Sequence, residues 1–175
     1  MIKPVNIPLK VHWLSTQKLE HPDIIPVTTN EVIGMLRNSE YLGWDTEARG
    51  LVPLYHTPLL EIFHNGKYTV VIDIRTTSRE DIYKIHSAIS HIPWIAHNAK
   101  FDYKMMMWHY PGIALGLCWD TMVAARILYN GYDIGGFSLK NLLDKFFGVK
   151  MNKEVRNSFI GKPDKSPFTV EEVFY

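Results

Sequence analysis

Residues 41–47 read YLGWDTE, an apolar run that ends in two carboxylates, Asp45 and Glu47. The run favours a buried strand, and Gly50 soon after it predicts a turn. Alternate residues of a strand point to the same face, so the two carboxylates would project side by side. Close carboxylates raise each other's pKa unless a cation lies between them, and a hard divalent ion such as Mg2+ suits that position. The run therefore predicts a metal site, although a solvated strand end would have the same pattern.

Patterns of both strands and helices surround this run. Thr28 and Glu31 have the spacing of a capping box and predict a helix start, while Asn65-Gly66 predicts the turn of a hairpin. Four further strands are predicted at 59–64, 68–74, 93–96 and 117–119. Apolar residues at helical spacing predict helices that begin near Asp81, Ala99, Thr121 and Ser138. Three strands followed by alternating helices and strands indicate an α/β fold, with a mixed sheet covered by helices.

A third carboxylate follows the predicted strand at 93–96. Asn98 and Asp102 are four residues apart and share one face of the helix that begins there. Ligand sites of α/β sheets gather at strand ends, so Asp102 would project near Asp45 and Glu47. An acid in the first turn of a helix also has a structural explanation in the helix dipole. The D-x-E pattern and the Asn98–Asp102 pattern together favour a metal site over two unrelated surface features.

Two nearby polar residues have simpler structural interpretations. His97 beside a strand end is more often packed or hydrogen-bonded than catalytic. Asp120 precedes Thr121 at a strand-to-helix junction, where it would cap the helix. We assign neither residue to chemistry.

Length and composition indicate one soluble globular domain. The chain has 175 residues, a formal charge of +1 and 46% hydrophobic residues, which suits a sizeable core. A lone cysteine, Cys118, excludes an internal disulfide or a zinc cluster and favours a reducing compartment. We find no signal peptide and no apolar run of membrane-spanning length, so we expect a cytoplasmic protein without membrane contact. We interpret residues 1–26 as an N-terminal extension and residues 27–175 as the domain.

The near-neutral net charge does not indicate an extensive nucleic-acid-binding surface, which usually requires a strongly basic face. Residues 138–168 carry seven Lys or Arg against three Asp or Glu, a net charge of +4. Such a segment suits either a few phosphates or a solvated basic surface.

Four stretches, in chain order, resemble the 3'-5' exonuclease domain of family A DNA polymerases. They are Trp44-Asp45-Thr46-Glu47 with Gly50-Leu51, His97-Asn98-Ala99-Lys100-Phe101-Asp102, Asp120-Thr121-Met122, and Ser138-Leu139 with Leu142. The first two match the D-x-E and N-x3-D motifs of that family, and the similarity runs from about Thr28 to Tyr175. Because the family belongs to the DnaQ-like exonucleases, the resemblance implies an RNase H-like fold with a mixed five-stranded sheet flanked by helices.

The resemblance implies two-metal hydrolysis, which releases nucleoside monophosphates from a single-stranded DNA 3' end with two Mg2+ or Mn2+ ions. By position, Asp45 would bridge both ions, Glu47 would bind the first and Asp102 would hold the second. The implied substrate contacts are Leu51 as a wedge against the terminal base, Thr46, and Asn98 at the substrate end. A polymerase domain in the same native polypeptide would be the expected partner.

This chain departs from the family at the third motif, Y-x3-D. Tyr175 lies in the expected context for the Tyr, where it would orient the attacking water, and the sequence stops four residues before the Asp. Thr169 and Glu172 have capping-box spacing, so a helix is predicted to begin shortly before that point. We therefore expect a C-terminally incomplete domain with weakened metal binding and little exonuclease activity.

Two other functions stay open from the sequence. An RNA 3'-5' exonuclease of the ribonuclease D type would use the same metal ligands. A catalytically inactive exonuclease-like module would bind nucleic acid or a partner protein without Mg2+. The Asp120-Thr121-Met122 context and the basic segment before the last helix favour the polymerase type.

Overall fold

The computed structural model describes residues 10–151 and 155–175 and places helices on both faces of one mixed sheet. The strands are β1 (Val11–Leu14), β2 (Ile24–Pro26), β3 (Leu42–Ala48), β4 (Pro58–His64), β5 (Thr69–Asp73), β6 (Trp94–Ala96) and β7 (Cys118–Asp120). The helices are α1 (Thr29–Leu36), α2 (Arg79–Ile89), α3 (Ala99–His109), α4 (Thr121–Leu128), α5 (Leu139–Phe147), α6 (Arg156–Phe159) and α7 (Val170–Phe174). Within these described ranges, no helix is long and apolar enough to cross a membrane.

Among the described residues, the sheet contains seven strands in the order β2-β1-β5-β4-β3-β6-β7, so the α/β class is confirmed and the prediction of five strands is wrong in number. The two additional strands come from the segment before residue 27. β1 pairs in parallel with β5, where His12 lies opposite Val70, and β2 pairs in parallel with β1. A parallel pairing between strands so far apart in the chain leaves no local pattern to detect. The first nine residues of the predicted extension lie outside the described residues.

The two faces of the sheet carry separate apolar cores. Trp44 and Phe63 belong to the larger core, which includes buried residues of α1, α2 and α3. Val71 of β5 belongs to the smaller core, together with residues of α7 and Phe159 of α6. Because side chains alternate along β3, Asp45 and Glu47 lie on the smaller-core face, opposite residues 62 and 60 of β4.

Local signals in the sequence set several element boundaries. Thr28 and Glu31 form the capping box of α1, as predicted from their spacing. The hairpin turn between β4 and β5 contains Gly66 with a φ of 85°, and α5 ends at Gly148 with a φ of 67°. Both glycines adopt the left-handed region, which side chains with a Cβ disfavour.

A buried polar cluster beneath β3 joins the strands to α2. Trp44 Nε1 donates to Glu61 Oε1 at 2.8 Å, and Glu61 Oε2 lies 3.0 Å from His86 Nε2. His86 Nδ1 lies 3.2 Å from the carbonyl oxygen of Ala114. Since Glu61 and His86 are both fully buried, these partners satisfy groups that water does not reach. The cluster therefore fixes β3 relative to β4 and α2.

Candidate active site

β3 presents Asp45 and Glu47 near its end. Its pairing with β4 is regular up to Glu47, and the register shifts between Glu47 and Ala48. Such an irregularity bends a strand and often re-aims the side chains next to it. Asp45 is exposed and Glu47 is half-buried, so solvent reaches both carboxylates at this end of the sheet.

Asp102 of α3 is held against β3 by Thr46. The backbone N–H of Thr46 donates to Asp102 Oδ1 at 3.0 Å, and Thr46 Oγ1 donates to the same oxygen at 2.6 Å. Both residues are buried. Because both bonds end on Oδ1, the other carboxylate oxygen, Oδ2, is left for a different partner.

Asp120 sets the direction in which α3 leaves the sheet. Its carboxylate accepts from the backbone N–H of Asn98 at 3.1 Å, of Ala99 at 2.9 Å and of Met122 at 2.8 Å. One side chain therefore caps α4 and also binds the first turn of α3. The structural interpretation of His97 is confirmed as well. Its Nδ1 lies 3.0 Å from Thr121 Oγ1, and its Nε2 lies 3.0 Å from the carbonyl oxygen of Phe137.

Desolvation and mutual repulsion raise the pKa of all three carboxylates. Although solvent touches Asp45, surrounding protein atoms raise its pKa to about 7, and the charge of Glu47 adds to the increase. Burial also raises the pKa of Glu47 to about 7, with a contribution from Asp102. The pKa of Asp102 rises to about 7 through burial and the charge of Asp45. The three carboxylates therefore lie close enough to act on one another, which is typical of a functional site.

Tyr175 and Arg156 approach the same carboxylates from α7 and α6. The pKa of Tyr175 is raised by burial and by the charges of Glu47 and Asp45. Arg156 lowers the pKa of Asp45 and Glu47, yet both values stay well above the ordinary range. Glu172 of α7 ties the two helices together, because it accepts from Ser158 of α6 and from Lys162.

Arg156 is the residue of this site that sequence reasoning missed. In the sequence it is one of seven cations in the basic segment 138–168, and no motif distinguishes it from the others. Two other charged residues of that segment, Lys153 and Glu154, lie outside the described residues.

The residues assigned to substrate contact lie in three different environments. Leu51 is 72% exposed just beyond β3. Asn98 is exposed at the start of α3, with a left-handed φ of 66°. Thr46 is only 4% exposed, and its hydroxyl donates to Asp102, so its side chain orients that carboxylate.

The donor set suits divalent ions bound mainly by water and substrate. Within residues 10–151 and 155–175, no group of three or more His, Cys, Asp or Glu side chains is placed to hold a metal ion together. Mg2+ usually takes only one or two carboxylates and keeps several waters or phosphate oxygens. Asp45 together with either Glu47 or the second oxygen of Asp102 would supply the one or two carboxylates that each ion requires.

Comparison with protein families identifies a match over most of the chain. A profile of the 3'-5' exonuclease family matches residues 26–173. No curated protein sequence matches the chain.

Solved structures with a similar fold include several nucleases. The EXO domain of Nibbler from Aedes aegypti superposes with a TM-score of 0.74 at 12% identity, covering 95% of this chain and 82% of that one. NrnC from Brucella melitensis with bound Mg2+ has a TM-score of 0.63 at 15% identity, with 97% and 73% covered. Escherichia coli RNase D, an exoribonuclease involved in structured RNA processing, has a TM-score of 0.65 at 16% identity, with 84% and 37% covered. At such identities the likeness concerns the fold, and it confirms the predicted RNase H-like class.

The raised carboxylate pKa values predict how stability of the metal-free chain depends on pH. Between about pH 4 and 7 the folded chain binds more protons than the unfolded chain, so the free energy of unfolding should fall as pH rises through this window. Asp45→Asn removes one repelling charge and should stabilise the chain at pH 8 in EDTA, by on the order of 1 kcal/mol after solvent screening. Urea unfolding followed by circular dichroism measures both effects.

A matched control is Glu20→Gln, which removes a negative charge from an exposed residue between β1 and β2. This variant should keep the pH dependence of the unmodified chain. If Asp45→Asn and the unmodified chain unfold at the same urea concentration at pH 8, the three carboxylates do not repel one another as described.

Proposed function

Because the chain belongs to the 3'-5' exonuclease family, we propose that its three-carboxylate site hydrolyses the last phosphodiester at the 3' end of single-stranded DNA. The observation that carries this proposal is the convergence of Asp45, Glu47 and Asp102 at one end of the sheet, each with a raised pKa. Arg156 lowers the pKa of Asp45 and Glu47, yet both pKa values stay at about 7. A group of acids that solvent reaches at Asp45 and Glu47, and that stays electrostatically unfavourable, suits a bound cation.

The carboxylates would divide the binding of two Mg2+ or Mn2+ ions between them. Each of the three acids interacts electrostatically with the other two, and by its position in the D-x-E motif Asp45 would be the ligand shared by both ions. Thr46 occupies Oδ1 of Asp102, so Asp102 would offer Oδ2 alone, directly or through a water. Bound ions supply Lewis-acid activation of a water and neutralise charge on the phosphate.

Tyr175 would orient the attacking water. Its hydroxyl both donates and accepts hydrogen bonds, and it carries its proton at neutral pH, since its pKa is raised still further above the usual tyrosine value. Tyr175 directly follows α7, and the hydrogen bonds that Glu172 accepts from Ser158 and Lys162 fix α7 against α6. The ring of Tyr175 lies 6.1 Å from that of Phe159, whose burial anchors α6 in the smaller core.

Substrate contacts would come from three residues outside the group of carboxylates. Leu51, exposed beyond β3, would pack against the terminal base, and Asn98 at the start of α3 would bind near the 3' end. Arg156 would contact a phosphate oxygen, because a guanidinium beside a phosphate site forms charge-assisted hydrogen bonds. A phosphate between Arg156 and the bound ions would complete the charge balance of the site.

RNA is the second candidate substrate. The fold is similar to that of Escherichia coli RNase D, which is described as an exoribonuclease, and the same carboxylates would serve either nucleic acid. The choice depends on contacts to the 2'-hydroxyl. Resemblance of the Asp120-Thr121-Met122 stretch to family A polymerases supports DNA.

Incubation of 5'-labelled single-stranded DNA and RNA of one sequence with the chain tests the proposed reaction. In Mg2+ or Mn2+ we expect slow, stepwise shortening of the DNA from its 3' end, and none in EDTA. Asp45→Ala should lower the rate by at least about 100-fold, because loss of even an outer-shell group around a metal costs 10- to 100-fold. Products separated on a denaturing gel give the rate and the direction.

Glu20→Gln serves as the control here too and should retain the full rate. Faster shortening of the RNA would show that RNA is the preferred substrate. Shortening that persists in EDTA or in Asp45→Ala would contradict the site. DNA binding that is independent of Mg2+, without any shortening of the DNA, would favour the catalytically inactive binding module.

Arg156→Gln separates the role of the guanidinium from that of the acids. Removal of this cation should tighten Mg2+ binding, since a positive charge leaves the neighbourhood of Asp45 and Glu47. It should weaken binding of single-stranded DNA and reduce the salt dependence of that binding by about one phosphate contact. Calorimetry with Mg2+ and fluorescence anisotropy with DNA measure the two effects. Weaker Mg2+ binding in the variant would show that Arg156 supports the site in another way.

A further inference from the structure

The segment after β3 exposes four apolar side chains in five consecutive residues. We call residues 51–55 the apolar loop. Tyr55 is 77% exposed, and the other three exposed side chains are those of Leu51, Val52 and Leu54. Single apolar residues on a surface are ordinary, whereas a contiguous apolar group usually marks a binding site.

The apolar loop is held in one conformation by hydrogen bonds at its base. The backbone N–H groups of Tyr55 and His56 donate to the carbonyl oxygen of Val52 at 3.0 and 2.9 Å. The N–H of Val52 in turn lies 3.1 Å from His56 Nδ1. Gly50 packs so closely on the His56 ring that a Cβ there would come within 2.6 Å of it. The exposed side chains are therefore presented by an ordered turn, which lowers the entropy lost on binding.

The apolar loop is attached to both elements that carry the candidate metal ligands. It begins four residues after Glu47 of β3. At its other end, the carbonyl oxygen of His56 lies 2.9 Å from Nε2 of His109, the last residue of α3, and Asp102 belongs to the same helix. The loop therefore extends away from the carboxylates along α3.

Leu51 alone does not account for this surface. The residue assigned as a wedge against the terminal base is Leu51, which is the member of the loop nearest to Glu47 in the chain. Tyr55, the most exposed member, lies at the far end of the turn. A single strand with its last phosphate at the carboxylates must continue past the site, and its bases need apolar faces to stack on.

We propose that Tyr55 stacks on a base upstream of the terminal nucleotide and so forms a second base subsite of the single-stranded substrate. This inference rests on the proposed function, because the carboxylates define where the 3' end lies. An aromatic ring contacts every base through its π face, so the subsite tolerates any sequence. The occupant is a nucleobase, and the phenol hydroxyl is not required.

Binding of 5'-fluorescein-labelled single-stranded DNA, with Ca2+ in place of Mg2+ to slow hydrolysis, tests the role of Tyr55 by anisotropy. Tyr55→Ala should weaken binding on the order of 10-fold, and Tyr55→Phe should bind like the unmodified chain. Tyr132→Ala is the matched control, because Tyr132 is 72% exposed but follows α4. Thermal unfolding should be the same for all these variants, since Tyr55 is exposed.

A set of oligonucleotides with one abasic nucleotide at successive positions from the 3' end locates the subsite. For the unmodified chain, we expect one upstream abasic position to weaken binding about as much as Tyr55→Ala does. In Tyr55→Ala that position should no longer matter, because the two changes remove the same contact.

The outcomes separate this inference from the proposed function. If Tyr55→Ala binds like the unmodified chain, or if both give the same abasic profile, Tyr55 is not a base subsite, while the proposed function is unaffected. If the unmodified chain binds no oligonucleotide, the proposed function fails and the inference fails with it.

Discussion

Repulsion among three carboxylates is the constraint on which the rest of this site depends. The fold holds Asp45, Glu47 and Asp102 close together and partly desolvated, at a cost that shows in their raised pKa values. Two hydrogen bonds from Thr46 hold Asp102 in place against that repulsion. A protein retains such an unfavourable arrangement when a ligand relieves it, and a divalent cation does so most directly.

The surrounding structure fixes the geometry of these charges from several directions. Asp120 binds the first backbone N–H groups of α3 and caps α4, which sets the direction of the helix that carries Asp102. The Glu61–His86 pair and Trp44 fix β3 from the opposite face of the sheet. On the nearer face, Glu172 joins α6 to α7 and so holds Arg156 and Tyr175 as one unit. Polar contacts of this kind orient side chains more sharply than apolar packing alone.

Much of the fold and part of the site were predictable from local sequence patterns. Asp45 and Glu47 share a face because of strand alternation, and the Thr28 capping box marks a helix start; both follow from residues within one turn or strand. The strands β1 and β2 were not predictable, since β1 forms by pairing with the distant β5, and β2 pairs only with β1. Arg156 escaped detection for the same reason, because contacts of α6 and α7 across the fold bring it to the acids. The burial of Thr46 likewise depends on a helix that follows much later in the chain.

Anomalous diffraction from crystals of this chain soaked in Mn2+ would locate the cation by direct observation. Mn2+ takes the oxygen ligands that Mg2+ takes, and its position can be read from an anomalous difference map. We expect a peak at coordination distance from Asp45 and Glu47, and density for a second ion between Asp45 and Asp102 Oδ2. A map with no peak at these carboxylates, or with peaks only elsewhere, would contradict the interpretation of this site as a metal centre.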